Sequence, residues 1–323
     1  MAPTKLERVL WMGFVLRGNR GFGDHAAEDW VRGLCKLLPD RPEVVTPDLW
    51  GDIRYGAAEL GGVFGEAPVG AHWYIDAVPM DLGPLRRQGA RTVLYGWSPG
   101  KLTGRVLRQL RQYDLVVATE ERSHRRLTHA GLGSRLRRGP DPAFLVDPAP
   151  DGPELPGNTV ALCLSLPPEA SESLFDCWCR LVSLLLAETD RTVALVPYQV
   201  DRHCNDLLFH RALLRQLGQN RRLILCGNGP SPMLRGILSR CRCCIGFEGA
   251  VAAWSCGVPA LCLSDTDRTC GLAGALFGCS AETVADWRQP EALPPRVRRF
   301  LALEERYRSL LRQRLRELHP SAF

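Results

Sequence analysis

Lysine is scarce in this chain of 323 residues, since only Lys5, Lys36 and Lys101 are lysines among 41 basic residues. Arginine therefore carries nearly all the positive charge, and the formal net charge is +6. Arginine suits planar, bidentate contacts to carboxylates and phosphates, so the composition fits an anionic ligand as well as a compositional habit of the source genome. The basic clusters at 123–127 and 294–300 lack the aromatic platforms of single-strand binders, which disfavours nucleic acid as a partner.

Long hydrophobic runs are also missing. No run approaches the roughly 18 apolar residues that a membrane span needs. The apolar stretch at 9–16 is short and has no small-residue cleavage pattern, so no export signal is predicted. With 45% hydrophobic residues the chain can bury a large core, and we expect a globular protein that stays in the cytoplasm.

No paired C-x-x-C motif accompanies the 13 cysteines, all of which except Cys35 lie after residue 160. The odd count and the missing export signal disfavour a disulfide framework. The clusters "CWC" (177–179) and "CRCC" (241–244) raise the question of a zinc site, but helical spacing places Cys177 and Cys179 on different faces. We interpret the cysteines as buried free thiols and predict no structural metal.

Apolar segments rich in β-branched residues alternate with segments of helical period throughout the chain. This alternation predicts two parallel sheets, one in each half of the chain, with helices on both faces of each sheet. Predicted strands of the first half lie at 8–16, 43–47, 73–78, 92–96 and 114–119, with helices at 25–38 and 102–113. In the second half, strands are predicted at 159–166, 192–197, 222–227, 243–247 and 259–264, with helices at 170–188, 205–217, 232–240 and from 248.

A Pro/Gly-rich segment without periodicity, residues 147–157, divides the two halves and is the predicted linker. The predicted fold is α/β, with two Rossmann-like doubly wound domains at 1–150 and 151–323. An amphipathic helix at 298–318 closes the second domain. In such sheets ligands bind beyond the carboxyl ends of the strands.

Several stretches, in this order, resemble the polysaccharide pyruvyl transferase family. The opening Gly-rich turn of that family ends in Gly-Asp before a helix, which Gly23 and Asp24 match, and its Gly-x-Ser-x-Gly-Pro-like loop is matched by "GWSPG" with Ser98. A Ser-containing helix and a Pro-Asp-Pro-x-Phe strand of the family resemble residues 118–132 and 139–146. Its second-domain core resembles residues 195–206 and, most specifically, 234–272.

This resemblance implies a glycosyltransferase-B-like fold and transfer of the enolpyruvyl unit of phosphoenolpyruvate onto a sugar, which yields a pyruvate ketal. The acceptor would be a sugar or glycan, with a lipid-linked acceptor as one option, in exopolysaccharide biosynthesis for the cell envelope. No cofactor is predicted, and phosphoenolpyruvate is the expected donor substrate. The sequence leaves the oligomeric state open.

The chain departs from the family where the donor is expected to bind. The family carries Arg-x-His before its most specific helix, and the register set by "AVAAWSCGVP" places Gly246 at the Arg and Glu248 at the His. Thr119 replaces a further Arg. The family's lysine after the next strand corresponds to Arg268, and the tyrosine before it to Asp265. The exchange of Arg-x-His for Gly-x-Glu removes positive charge and adds negative charge where an anionic donor needs cations.

Glu248 allows three interpretations. It is a helix-start acid without chemistry, a catalytic acid or base in a remodelled transferase, or a ligand of the ribose or hexose hydroxyls of a nucleotide sugar. The corresponding alternatives for the whole protein are a glycosyltransferase-like enzyme that uses a nucleotide sugar and a non-catalytic glycan-binding relative.

The remaining candidates follow predicted strands. Asp24 is a ligand of a sugar hydroxyl, a catalytic base or a helix N-cap, and the loop at 18–23, with Arg20 and Gly23, is a candidate phosphate cradle. His203 is a catalytic candidate. The other candidate substrate-binding residues are Ser98, Arg202, Asp206, Gly246, Asp265 and Arg268. Arg268 has the alternative of a salt bridge, and we predict that the loops at 18–24, 97–101, 198–206, 246–249 and 265–269 line one cleft between the domains.

Overall fold

A computed structural model describes residues 8–11, 43–45, 72–76, 91–96, 102–149, 153–165, 172–198, 200, 205–264 and 266–318. The described residues up to Asp141 belong to one compact unit and those from Pro142 onward to a second. The strands of each unit form a six-stranded sheet in which every described pairing between strands is parallel.

The first unit has its strands in the order β2-β1-β3-β4-β5-β6. Short apolar runs such as "LVVA" form these strands, because burial on both faces requires continuous hydrophobic sequence. The strands are β1 Arg8–Trp11, β2 Glu43–Val45, β3 His72–Asp76, β4 Arg91–Tyr95, β5 Leu115–Ala118 and β6 Leu136–Arg138. Its described helices are α1 Gly104–Leu110 and α2 Glu121–His129, followed by a 3-10 helix at Gly133–Arg135.

The second unit has the strand order β12-β11-β10-β7-β8-β9. Its strands are β7 Val160–Cys163, β8 Val193–Leu195, β9 Leu223–Leu225, β10 Cys243–Gly246, β11 Ala260–Leu263 and β12 Val284–Ala285. Its helices are α3 Glu172–Glu188, α4 Asp206–Leu217, α5 Ser231–Ser239, α6 Glu248–Ser255, α7 Asp267–Phe277, α8 Leu293–Ala302 and α9 Glu304–Leu318. The chain winds outward in both directions from the β7–β10 pair, so the order reverses there.

The core of the second unit consists of two apolar layers, one on each face of the sheet. One layer includes Leu234 of α5, Trp254 of α6 and Leu272 of α7. The other includes Trp178 of α3 and Phe300 of α8. Every residue of β7 and β10 is buried between these layers, which explains their unbroken apolar sequences.

Capping residues fix the ends of the helices near the carboxyl ends of the strands. Asn205 caps α4 by accepting from Leu208 N at 3.0 Å, and Thr266 caps α7 by accepting from Thr269 N at 3.2 Å. The helix α7 ends at Gly278, whose φ of 78° lies in the left-handed region that glycine adopts without strain.

The α/β class with two Rossmann-like sheets is confirmed, and three local predictions need correction. The single helix predicted at 298–318 is two helices, because the chain turns at Leu303 and thereby buries Glu304. Residues 142–145, predicted as a strand, form a 3-10 helix. The sequence analysis missed β6, because its sequence Leu-Arg-Arg is not an apolar run, and β12, because it has only two residues.

The first residues after the first unit pack onto the second sheet, ahead of the predicted boundary at 150/151. Ala143 lies in the core of the second unit, and Ala149 N donates to Pro232 O at 2.8 Å. The buried Arg235 of α5 donates to Ser255 Oγ and, at 3.4 Å, to the carbonyl of Val146. The segment 142–149 is thus held by the second unit through backbone contacts, which apolar periodicity does not reveal.

Candidate functional site

The centre of the candidate site is the turn between β10 and α6, residues 246–249. Gly246 pairs in register with Cys163, the last residue of β7, and Phe247 N donates to Cys163 O at 3.1 Å. This turn therefore lies at the carboxyl edge of the sheet, where the strand order reverses. Ligands of doubly wound sheets bind in this kind of position.

Gly246 and Gly249 both lie against Cys163. A Cβ on Gly246 would overlap the carbonyl oxygen of Cys163 and lie 2.7 Å from its Cβ. A Cβ on Gly249 would overlap the thiol sulfur and lie 2.5 Å from the same Cβ. Neither position has room for a side chain. A residue with a side chain that could contact a ligand therefore cannot replace Gly246 without a change in the backbone.

Glu248 and Arg268 form an ion pair across two neighbouring strand-to-helix turns. Glu248 is the first residue of α6, and Arg268 follows the first residue of α7. Arg268 Nη1 donates to Glu248 Oε2 at 3.1 Å, with the carboxylate side chain 48% exposed and the guanidinium side chain 19% exposed. The structure thus brings together Gly246, Glu248 and Arg268, and it realises the salt-bridge alternative for Arg268.

Three hydroxyl groups that the sequence analysis missed shape the turn that carries Arg268. Thr269 Oγ1 donates to Ser264 Oγ at 3.0 Å and lies 2.8 Å from Thr266 Oγ1. Thr269 is buried, so this network holds the start of α7 in one conformation. The available signal was the close spacing of Ser and Thr around a predicted helix start.

Asp206 is held within the protein. It is fully buried at the start of α4, and its Oδ2 accepts from Tyr198 N at 2.9 Å. The carboxylate therefore secures the backbone that follows β8. A role in substrate binding stays a prediction for this residue.

His210 lies one turn after Asp206 and was not among the predicted site residues. Its Nε2 lies 2.9 Å from Leu164 O, just beyond β7, and its buried Nδ1 has no hydrogen-bond partner among the described residues. Burial lowers the pKa of His210 from 6.5 to about 4, against a smaller raising effect of the Leu164 hydrogen bond. The imidazole is neutral at pH 7, and its i, i+4 spacing from Asp206 was the signal that could have revealed it.

Phe247 anchors the turn to the other face of the sheet. Its ring makes edge-on contacts with Trp178, at a centroid distance of 6.3 Å, and with Trp287, at 6.2 Å. Aromatic pairs in this geometry stabilise by about 0.5–1.5 kcal/mol beyond their burial. The aromatic contacts and the close packing on Cys163 hold the backbone on both sides of Glu248.

The described cysteines are free thiols, and most are buried. Cys244 Sγ lies 3.9 Å from Cys163 Sγ, and burial raises the pKa of Cys244 and Cys262 well above that of an ordinary thiol. Burial likewise raises the pKa of Cys226 to about 11. These thiols are protonated at pH 7, which disfavours them as nucleophiles. Among the residues that the structure describes, no group of three or more His, Cys, Asp or Glu residues is placed to hold a metal ion.

Seven predicted site residues lie outside the described part of the chain: Arg20, Gly23, Asp24, Ser98, Arg202, His203 and Asp265. Their roles stay predictions, as does the predicted cleft between the domains. Of the five loops assigned to that cleft, only 246–249 is described completely.

None of the helices in the described ranges combines the length and the apolar sequence needed to cross a bilayer. No curated protein matches the chain at a significant level.

Several solved structures share the fold of this chain at low sequence identity. Staphylococcus aureus MnaA in complex with UDP has a TM-score of 0.62 at 11% identity, over 95% of this chain and 90% of MnaA. The sucrose-phosphate synthase of Thermosynechococcus elongatus has 0.55 at 13%, over 97% and 95%. Anabaena HepE in complex with UDP has 0.54 at 13%, over 98% and 95%. At these identities the similarity establishes a glycosyltransferase-B-like fold.

The comparison of the sequence with family models identifies one family, whereas the solved structures identify only the fold. A family described as polysaccharide pyruvyl transferase matches residues 69–267, which is more than half of the chain and includes β10, the turn at 246–249 and the start of α7. The resemblance inferred from the sequence is therefore confirmed. The chain belongs to the polysaccharide pyruvyl transferase family.

Proposed function

We propose that the protein transfers the pyruvyl group of phosphoenolpyruvate to hydroxyls of a sugar or glycan acceptor, without a cofactor or a metal. One observation supports this proposal above the others. The turn that resembles the expected donor-site turn of the family lies at the β7–β10 reversal point, where Glu248 meets the guanidinium of Arg268. A cation and a proton-exchanging group thus stand side by side at the ligand-binding edge of the sheet.

The reaction sets the chemical requirements. One acceptor hydroxyl adds to C2 of phosphoenolpyruvate, and a proton equivalent to the one it loses is added to the C3 methylene carbon. A second hydroxyl then displaces the phosphate, and its proton leaves with the phosphate. The products are a pyruvate ketal and inorganic phosphate. Arg268 is suited to pair with the donor phosphate or carboxylate, and Glu248 is suited to exchange the hydroxyl and methylene protons.

Further cations are required, because Gly246 and Thr119 cannot supply them and Thr119 is itself buried. We assign this role to Arg20 and Arg202. Asp24 and His203 are the remaining candidates for proton transfer, and Ser98 and Asp265 are candidates for contacts to the acceptor.

A second candidate is a glycosyltransferase-like activity with a nucleotide sugar. The half-exposed carboxylate of Glu248 favours it, since a carboxylate accepts hydrogen bonds from ribose or hexose hydroxyls. MnaA and HepE, which share the fold, are in complex with UDP. A glycan-binding protein without catalysis is the third alternative.

Calorimetric titration with phosphoenolpyruvate and, separately, with UDP-N-acetylglucosamine discriminates these candidates. We expect phosphoenolpyruvate to bind and Arg268→Gln to weaken its binding about tenfold, which corresponds to the loss of one charge-assisted hydrogen bond. Arg298→Gln is the matched control, because Arg298 is paired with Glu188 at 2.6 Å on the outer helices α8 and α3.

Turnover is measured as phosphate released from phosphoenolpyruvate in the presence of a panel of saccharides. Binding of UDP-N-acetylglucosamine without binding of phosphoenolpyruvate would favour the second candidate. Saccharide binding without binding of either donor would favour the third.

A further inference from the structure

The Glu248–Arg268 pair is asymmetric in its exposure. The carboxylate side chain is 48% exposed and the guanidinium side chain only 19%, so the anion reaches from solvent towards a largely covered cation. Each group comes from a different strand-to-helix turn, and the turn of Arg268 is held by the hydroxyl network of Ser264, Thr266 and Thr269. Movement of the Glu248 side chain therefore requires no change in the turn that carries Arg268.

An ion pair with a half-exposed partner contributes little stability, because water and salt screen it. Displacement of the Glu248 carboxylate from the Arg268 guanidinium by another anion therefore requires little free energy. A phosphate carries more charge than one carboxylate and offers three oxygens to the planar donors of a guanidinium. Arg268 also lies in the first turn of α7, where the helix dipole disfavours a cation and favours an anion beside it.

We propose that Glu248 is a displaceable counterion of Arg268. The anionic group of the donor replaces the carboxylate on the guanidinium, and the released carboxylate then accepts the proton of the acceptor hydroxyl. This inference rests on the proposed function, and it makes Glu248 a specificity-determining residue as well as a catalytic one. Only a donor anionic enough to displace the carboxylate frees the base.

Glu248→Gln separates this role from others, because it removes the charge and keeps the size of the side chain. We expect the variant to bind phosphoenolpyruvate and inorganic phosphate about fivefold more tightly than the wild type, since the Glu248 carboxylate no longer competes for Arg268. Phosphate release in the presence of acceptor should fall at least a hundredfold, since the base is missing. Affinity and turnover thus move in opposite directions, which a purely structural role would not produce.

The matched control is Glu188→Gln, which removes an acid of similar exposure, 44%, from the exposed pair with Arg298. It should change neither the affinity for anions nor turnover. When Arg268→Gln is already present, adding Glu248→Gln should no longer tighten anion binding, because the guanidinium for which the carboxylate competes is gone. Glu248→Ala, which also removes the charge and has a high helix propensity, is the second variant if the Gln variant melts early.

Weaker or unchanged binding of both anions by Glu248→Gln would overturn the counterion role, and so would a complete lack of anion binding by that variant. The two proposals fail separately. Tighter phosphate binding by Glu248→Gln without any pyruvyl transfer would leave the counterion role standing and remove the proposed function. Transfer by the wild type without tighter binding by the variant would do the reverse.

Discussion

Gly246, the last residue of β10, lies against Cys163, the last residue of β7, with no space for a side chain between them. The pair sits at the reversal point of the second sheet, directly beneath the turn that presents Glu248. An arginine at position 246 would therefore require a different backbone at the end of β10.

We predict that Gly246→Ala and Gly249→Ala each lower the free energy of unfolding by about 1–3 kcal/mol, the usual cost of overpacking. At Gly249 the obstacle is the Cys163 side chain, so Cys163→Gly should recover part of the loss in a double-mutant cycle. At Gly246 the obstacle includes the Cys163 carbonyl, and the same cycle should recover less. Urea denaturation measures the single and double variants, and equal recovery in both cycles would contradict this account.

His210 makes stability depend on pH. Its pKa is about 4 in the folded protein and 6.5 in the unfolded chain, so the unfolded state binds more protons between these values. Stability should be complete above pH 6.5 and should fall by about 3 kcal/mol as the pH drops towards 4. His210→Gln does not titrate and can keep a donor towards Leu164 O, so its urea midpoint should vary less across this window. An unchanged pH profile in the variant would exclude His210 as the cause.

Glu304 joins the last helix to the amino edge of the second sheet. Its oxygens accept from Arg191 at 2.6 and 2.9 Å and from Arg242 at 2.7 Å, and its side chain is buried. Glu304→Ala leaves the two guanidinium groups without their shared anion and should destabilise by about 3 kcal/mol. Glu188→Ala, which breaks an exposed pair, should destabilise the protein far less than Glu304→Ala. Similar losses in the two variants, measured by urea denaturation, would contradict the importance of burial.

Glu304 makes stability depend on pH in a lower pH range than His210 does. Burial raises its pKa, but the hydrogen bonds of Arg191 and Arg242 outweigh burial and lower the pKa below the usual 4.5. A lowered carboxyl pKa stabilises the folded state above the unfolded value, and this stability is lost as the pH falls through the folded value. In Glu304→Gln, the free energy of unfolding should therefore fall less steeply with pH below about pH 4.3. The decrease between pH 6.5 and about 4 that His210 causes should remain.

We predict that the purified protein contains no stoichiometric zinc despite its 13 cysteines. In a thiol assay under native conditions, Cys279 should react first among the described cysteines, because it is exposed. All 13 thiols should react after denaturation under reducing-agent-free conditions. Zinc detected by elemental analysis, or fewer reactive thiols in denaturant, would contradict this prediction.

The sequence by itself determined the strands β7 to β11 and the helices α3 to α6 of the second unit. The apolar run around Val160 and the helical period of 172–188 are local patterns, and each element buries the side chains that its own sequence supplies. The position of Glu248 at a helix start was predictable for the same reason, since it follows a buried strand. The most specific resemblance to the family also lay within one stretch, residues 234–272.

Tertiary structure alone decided which of these elements meet. Strand order places β10 beside β7, and only then does Cys163 exclude side chains from Gly246 and Gly249. Arg268 is 20 residues from Glu248 in sequence and becomes its counterion because β10 and β11 are neighbours with helices that start at the same edge. Contacts of this kind depend on how separate elements pack, and local periodicity carries no information about the partner that packing brings to each side chain.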